Sequence, residues 1–480
     1  MKTKITSSPL VCFILLLLFL AFAFPECSVE ARKNKAHHAK KPKPQHKHRG
    51  KNHKGSHRAD RSPSLPPPSQ TSLTSFDVLS FGALGDGVAD DSLAIVSAWN
   101  AACKVEKATI RIPAGYTFLT SSITLQGPCA PGLVLQVDGN LKAPPAEAKS
   151  WLKSSTLQWL NFKWTHNFTI QGSGSVDGQG SNWWSKSTPT QDYQIQKRSD
   201  SIPDIKPTAI RFYSSNNVTI RDINIVNSPQ CHLKFDDGRG VKVTNITISS
   251  PEDSPNTDGI HLQRTRDVEI QHSSIASGDD CVSIQTGSAN VHIHHINCGP
   301  GHGISIGGLG KDRTAACVSD IIVESVSMLK TMYGARIKTW QGGIGYVKNV
   351  TFSSMQVSDV KVPVMIDQFY CDKHRCKNQT DAVAISDIKF NEITGTFSSQ
   401  PIYLACSSST PCTGVDLINI QLKPTYGFHE LQHQRQALCW NSYGKTQAPL
   451  VPSSIDYCLG RPDHSSSVRQ PSRSSSDIKC

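Results

Sequence analysis

Short runs in which β-branched residues alternate with polar ones recur through the middle of the chain: Val218-Thr219-Ile220, Val241-Lys242-Val243, Val268-Glu269-Ile270 and Val291-His292-Ile293. Alternation with a period of two marks strands with one buried and one wet face. The runs start 23, 27 and 23 residues apart, and similar ones follow around Ile321, Val350, Ile388 and Leu417 at looser spacing. A repeat of this length cannot form a core alone, so successive repeats must stack. Short strands without intervening helices therefore predict an all-β fold, a parallel β-helix solenoid. A propeller blade needs about 40 residues or more, and the Leu-x-x-Leu-x-Leu signature of leucine-rich repeats does not occur. One helix is predicted near Asp90-Asp91-Ser92, where capping residues precede Leu93, Ile95, Val96 and Trp99; it should cap one end of the solenoid.

The ends of the chain read differently. Met1-Lys2-Thr3-Lys4 leads to an apolar run from Leu10 to Phe24 and then to Cys27-Ser28-Val29-Glu30-Ala31, the three parts of a secretory signal peptide over residues 1–31. The 15-residue run falls short of the roughly 20 residues that span a bilayer. The expected location is therefore extracellular, with no membrane attachment once the signal is cleaved. Cysteines in such a protein are candidates for disulfides. Two of the 15 leave with the signal, and the remaining 13 cannot all pair within one chain. Cys371/Cys376 and Cys406/Cys412 enclose loops short enough for local bridges, and Cys281/Cys298 could staple neighbouring turns. No Cys-x-x-Cys pair or clustered His/Cys set suggests zinc, and neither a metal nor a cofactor is expected. Sequons at Asn167, Asn217, Asn245, Asn349 and Asn378 fit secretion, although Thr-rich strands also produce such triplets by chance.

The net charge of +12 is mostly local: from Arg32 to Arg61, twelve Lys/Arg and six His accompany a single Asp. Residues 32–72 form a basic arm ending in a Pro-rich linker, too polar to offset chain entropy by burial. The arm would either adhere to an anionic polymer or serve as a solubilising or removable segment. Nucleic acid is the usual partner of such a run, but a secretory route argues against it. Residues 73–460 are expected to form the nearly neutral solenoid, as a monomer, and 461–480 a Ser-rich tail.

Four polar clusters interrupt the solenoid: Asn256-Thr257-Asp258, Gly278-Asp279-Asp280-Cys281, Gly301-His302-Gly303 and Arg336-Ile337-Lys338. Alone, each reads as a turn or a solvated face. Their register changes that reading: Asp258 to Asp280 and Asp280 to His302 are both 22 residues, one coil, which places such positions roughly 4.8 Å apart up the stack. Residues two apart on a strand project together, so Asn256 joins Asp258 and Arg336 joins Lys338. Carboxylates held close cannot all ionise easily, so one can keep a proton while its neighbours stay anionic. Acetal hydrolysis needs that division between an acid for the leaving oxygen and a base for water. The cations suit a substrate with carboxylates of its own.

At these residues the chain resembles the polygalacturonases of glycoside hydrolase family 28, particularly the plant type. The resemblance runs from Phe76-Asp77-Val78-Leu79-Ser80-Phe81-Gly82-Ala83-Leu84-Gly85-Asp86-Gly87 through Ser254-Pro255-Asn256-Thr257-Asp258-Gly259-Ile260-His261 and Gly301-His302-Gly303-Ile304-Ser305-Ile306-Gly307 to Arg336-Ile337-Lys338-Thr339-Trp340. It implies a right-handed parallel β-helix and an inverting hydrolase of pectin galacturonan. By resemblance, Asp279 is the general acid, Asp258 and Asp280 position and deprotonate water, and His302 tunes the acid. Arg336 and Lys338 would grip a galacturonate carboxylate, with Asn256 and Tyr370, in Asp367-Gln368-Phe369-Tyr370-Cys371, as further substrate contacts. The basic arm lies outside the family pattern. Rival readings are a pectate lyase, a hydrolase of rhamnogalacturonan or substituted galacturonan, and a wall-binding protein without catalysis. Intact aspartates at 258, 279 and 280 argue against the last.

Overall fold

The computed structural model describes residues 74–153, 158–185, 205–372, 376–425 and 436–460. The expected signal peptide, basic arm and Ser-rich tail lie outside the described residues.

Parallel strands wind as a right-handed β-helix with a front sheet of eleven strands and a second sheet of nineteen that bends around the back. The four runs that set the sequence period stack in one column: Val218, Val241, Val268 and Val291 pair in succession, followed by Ile321, Val350, Ile388 and Val415. On the front sheet the inward column is Phe162, Phe212, Phe235, Leu262, Ile284, Ile306, Ile337, Ile366 and Leu404. The first three rings stack at centroid distances of 4.9 and 5.2 Å. Burying each such side chain contributes about 1.5–3 kcal/mol, so the core accumulates by repetition.

Polar residues set the corners. Asn167, Asn217, Asp267, Asn290, Asp320, Asn349 and Asp387 turn the chain with φ between 50° and 60°, a left-handed conformation that Asn and Asp tolerate better than other side chains. Their side chains bond rung to rung, as from Asn290 Nδ2 to Asp267 Oδ1 at 2.7 Å and from Asn349 Nδ2 to Asp320 Oδ1 at 2.6 Å. Four of the five sequon asparagines, Asn167, Asn217, Asn245 and Asn349, occupy such left-handed turns, which gives those positions a structural reason for being Asn.

The predicted helix runs from Ser92 to Ala102. Trp99 fixes it over the end of the core, with its ring 5.8 Å from Phe162 and 5.3 Å from Phe168 and its Nε1 donating to Gln126 O at 3.1 Å. Two details differ from expectation. Asp91 does not cap the helix; its carboxylate accepts from Leu84 N and Gly85 N in the preceding loop. Leu93 points outward, 82% exposed, and Ala94, Ile95, Ala98 and Ala102 supply the buried stripe beside Trp99. Val96 is only partly buried.

The expected bridges Cys281–Cys298, Cys371–Cys376 and Cys406–Cys412 form, and the structure adds Cys103–Cys129 and Cys439–Cys458. Cys231 is the free thiol among the described residues, and it is buried.

Candidate active site

Asp258, Asp280 and His302 each sit two residues before a front-sheet strand, ahead of Ile260–Gln263, Val282–Ile284 and Ile304–Leu309. Those strands pair in register as Ile260, Val282 and Ile304, so the 22-residue interval delivers the three turns one above another. Glycines make the turns possible. A Cβ on Gly278 would lie 2.0 Å from Ser254 O; one on Gly303, whose φ is 82°, would lie 2.1 Å from Tyr333 O. The Cys281–Cys298 disulfide ties the Asp279-Asp280 turn to the strand behind it.

Asp280 is 1% exposed and lies between two cations. Its Oδ1 accepts from Arg336 Nη2 at 2.5 Å and Ser305 Oγ at 2.7 Å, while its Oδ2 accepts from Lys338 Nζ at 3.0 Å. Arg336 Nε also donates to Ser305 Oγ at 2.8 Å. The Arg336 guanidinium lies 4.1 Å from the Tyr333 ring centroid, and Lys338 Nζ lies 5.3 Å from that of Tyr370. The strand periodicity does bring Arg336 and Lys338 to one side. At 5% and 7% exposure, however, both are turned onto Asp280, a partner the sequence reading did not give them.

Asp279 points the other way. It lies 3.0 Å from His302 Nδ1 and accepts from Asn256 Nδ2 at 3.2 Å and from the Asp280 backbone N–H at 2.8 Å. Burial pushes its carboxyl up, but the hydrogen bond and charge of His302, the charge of Lys338 and the Asp280 N–H outweigh that and bring it to about 2. Asp258 goes in the opposite direction. Burial and the charges of Asp279 and Asp280 raise it, against His261, whose Nδ1 lies 3.3 Å from Oδ2. The neighbouring carboxyls are thus driven apart, with the raised pKa on Asp258 and not on Asp279, the residue that the resemblance implied as the acid.

Residues missed in the sequence complete the site. His232 is fully buried; its backbone N–H donates to Asp258 O at 2.8 Å, Nδ1 lies 3.1 Å from the same oxygen, and Nε2 lies 2.7 Å from Ser250 Oγ. Burial lowers its pKa to about 4, which keeps it neutral. Ser305 pairs in register with Arg336. His261 and Ser305 stood within the quoted motifs and could have been found as the third residues after Asp258 and His302. His232, alone in the bend before the strand Leu233–Asp236, offered no such signal.

Two sets of donor atoms lie within 4.8 Å of one another: Asp279, Asp280 and His302, and Cys231, Asp258 and His261. In the first, protein cations already occupy both Asp280 oxygens. In the second, burial and then the charge of Asp258 raise the Cys231 pKa, which keeps sulfur as the thiol, a poor ligand. Neither set fits a metal well. Beside the carboxylates, Lys234, His261, Gln285, Lys311, Trp340 and Tyr370 line part of an open groove of about 390 Å³. Lys234 and Lys311 are partly exposed there, 3.8 Å from Asp236 and 2.9 Å from Asp372.

Residues 103–441 match the profile of glycosyl hydrolases family 28. The chain is 40% identical over 356 residues to a polygalacturonase of Chamaecyparis obtusa, covering 74% of this chain and 68% of that one. It is 40% identical over 390 residues to a polygalacturonase of Juniperus ashei, covering 80% and 74%. The structure of an endo-xylogalacturonan hydrolase from Aspergillus tubingensis superposes with a TM-score of 0.64 at 24% identity, covering 77% of this chain and 98% of that one, a likeness of fold.

Proposed function

The chain belongs to glycosyl hydrolases family 28, and from that membership we propose that it hydrolyses the α-1,4-galacturonosyl bonds of pectin with inversion, as a secreted polygalacturonase of the cell wall. The observation that carries the proposal is the convergence of three carboxyls, Asp258, Asp279 and Asp280, at one site, with Asp279 held by His302 and Asp280 by Arg336 and Lys338.

The acid is the Asp279–His302 pair, with the proton of their 3.0 Å contact at its disposal. Asp279, ionised in the free protein, acts as the acid by relaying the proton it shares with His302 to the glycosidic oxygen as the bond to the anomeric carbon breaks, and solvent then reprotonates the pair. Asp258, whose raised pKa makes it the stronger base, takes the proton of the water that attacks from the opposite face. Asp280, neutralised by Arg336 and Lys338, orients that water and fixes the strand behind it. Asn256 and Tyr370 border the sugar. Since Arg336 and Lys338 are engaged by Asp280, Lys234 and Lys311 offer the more accessible positive charge for galacturonate carboxylates along the groove. The basic arm at 32–72 adds adhesion to an anionic wall polymer, or is a solubilising or removable segment.

Incubating the secreted protein with polygalacturonate, while following reducing ends, ultraviolet absorbance and the anomeric proton signals, tests the proposal. New reducing ends of the β-anomer without an unsaturated chromophore are expected. A rise in ultraviolet absorbance would identify a lyase, initial α-anomer a retaining enzyme, and no product a binding protein.

A further inference from the structure

On the back sheet, away from the carboxylates, the paired strands Arg266–Ala276 and Ala289–Cys298 carry His272, His292, His294 and His295. The hydrolytic roles leave all four unused. Consecutive strand residues normally face opposite sides, but His295 has φ 53° at a bend in its strand. Its ring turns toward that of His294, and their Nδ1 atoms lie 2.9 Å apart. His272 is exposed on the neighbouring rung, its ring centroid 4.8 Å from that of His295.

We propose that His294 and His295 chelate a divalent transition metal of the zinc or copper class through their Nδ1 atoms, with the His272 ring swinging in as third ligand. Two imidazole nitrogens bound at about 2.0–2.1 Å to a tetrahedral or octahedral ion stand about 2.9–3.3 Å apart, so the observed separation already fits. Imidazole nitrogens suit this class of metal. The metal replaces the N–H···N contact between the rings: the ring protonated at Nδ1 shifts that proton to Nε2, and both Nδ1 lone pairs face the ion. His294 Nε2 lies 3.7 Å from Glu269 Oε1, which places a carboxylate where it can hold the ring in the ligating tautomer. His292 is engaged elsewhere, its Nε2 2.8 Å from Glu324 Oε1.

The basic arm contains six histidines of its own, so the test must resolve individual residues. Diethyl pyrocarbonate labelling of the full secreted protein, mapped by peptide mass with and without added Zn²⁺, does so. Zinc should protect His294 and His295 together. His294→Gln should abolish protection at His295, and Glu269→Gln should weaken it about tenfold. Unchanged polygalacturonate hydrolysis by both variants shows that they are folded. Equal labelling of His295 with and without zinc overturns the proposal. So does protection at His295 that survives His294→Gln.

Discussion

Asparagine at position 280 keeps the shape of the side chain and an acceptor for Ser305, but removes the charge that faces Arg336 and Lys338. Their nitrogens lie 2.5 and 3.0 Å from it, and they are 5% and 7% exposed, so neither can turn to water. Breaking a buried ion pair from one side costs about 3–5 kcal/mol, because the remaining charge is left uncompensated. Here two cations lose one anion, which places Asp280→Asn at the upper end of that range. Replacing Lys338 as well, in Asp280→Asn/Lys338→Met, leaves one stranded cation instead of two and should restore about 1–2 kcal/mol. Guanidinium unfolding followed by tryptophan fluorescence measures both. Polygalacturonate hydrolysis by Asp280→Asn should fall about 10²–10⁴-fold if the residue orients the attacking water. A midpoint for Asp280→Asn within about 1 kcal/mol of wild type would refute the ion-pair reasoning, since the cations would then not depend on this carboxylate.

Asp279→Asn weighs on catalysis more than on stability: Asp279 is 14% exposed and its partner His302 28%, so unfolding should shift by about 2 kcal/mol, less than for Asp280→Asn, while hydrolysis falls about 10²–10⁴-fold. The pH profile follows from the raised pKa of Asp258: a base must be ionised, so the rate should fall on the acid side at a pH above the ordinary 3.8. A rate that stays level below that pH removes Asp258 as the base. For Asp279, brought down to about 2 largely by His302, the linked stability is present above the unfolded pKa and fades as pH drops toward 2. The stability gap between wild type and His302→Gln should therefore narrow over that window, as urea unfolding would show. Phe212→Ala removes the middle of the three stacked rings and should cost about 3–5 kcal/mol while leaving the rate well below the unfolding midpoint nearly unchanged.

The solenoid was legible because each strand alternates and each coil returns to the same register: Val218, Val241, Val268 and Val291 do stack. The same regularity placed Asp258, Asp280 and His302 on successive turns. The partner of Arg336 was not legible. Which carboxylate a strand cation meets depends on how the longer coil from Leu309 to Tyr333 closes, and no local pattern encodes that. Asp91 misled because the residue type that caps helices also ties loops, and here it bonds Leu84 and Gly85. His232 was hidden because its function lies in two contacts to a backbone carbonyl 26 residues away.

Cys231 gives the floor of the active site a clock. Alkylating reagents reach a buried sulfur only when the surrounding structure opens, and this thiol lies within 4.8 Å of the nearest Asp258 and His261 donor atoms. The speed of its modification reports how often the coil beneath Asp258 comes apart. Because rungs of a solenoid lean mainly on their neighbours, that frequency belongs to this stretch alone and can change while the melting of the whole molecule does not.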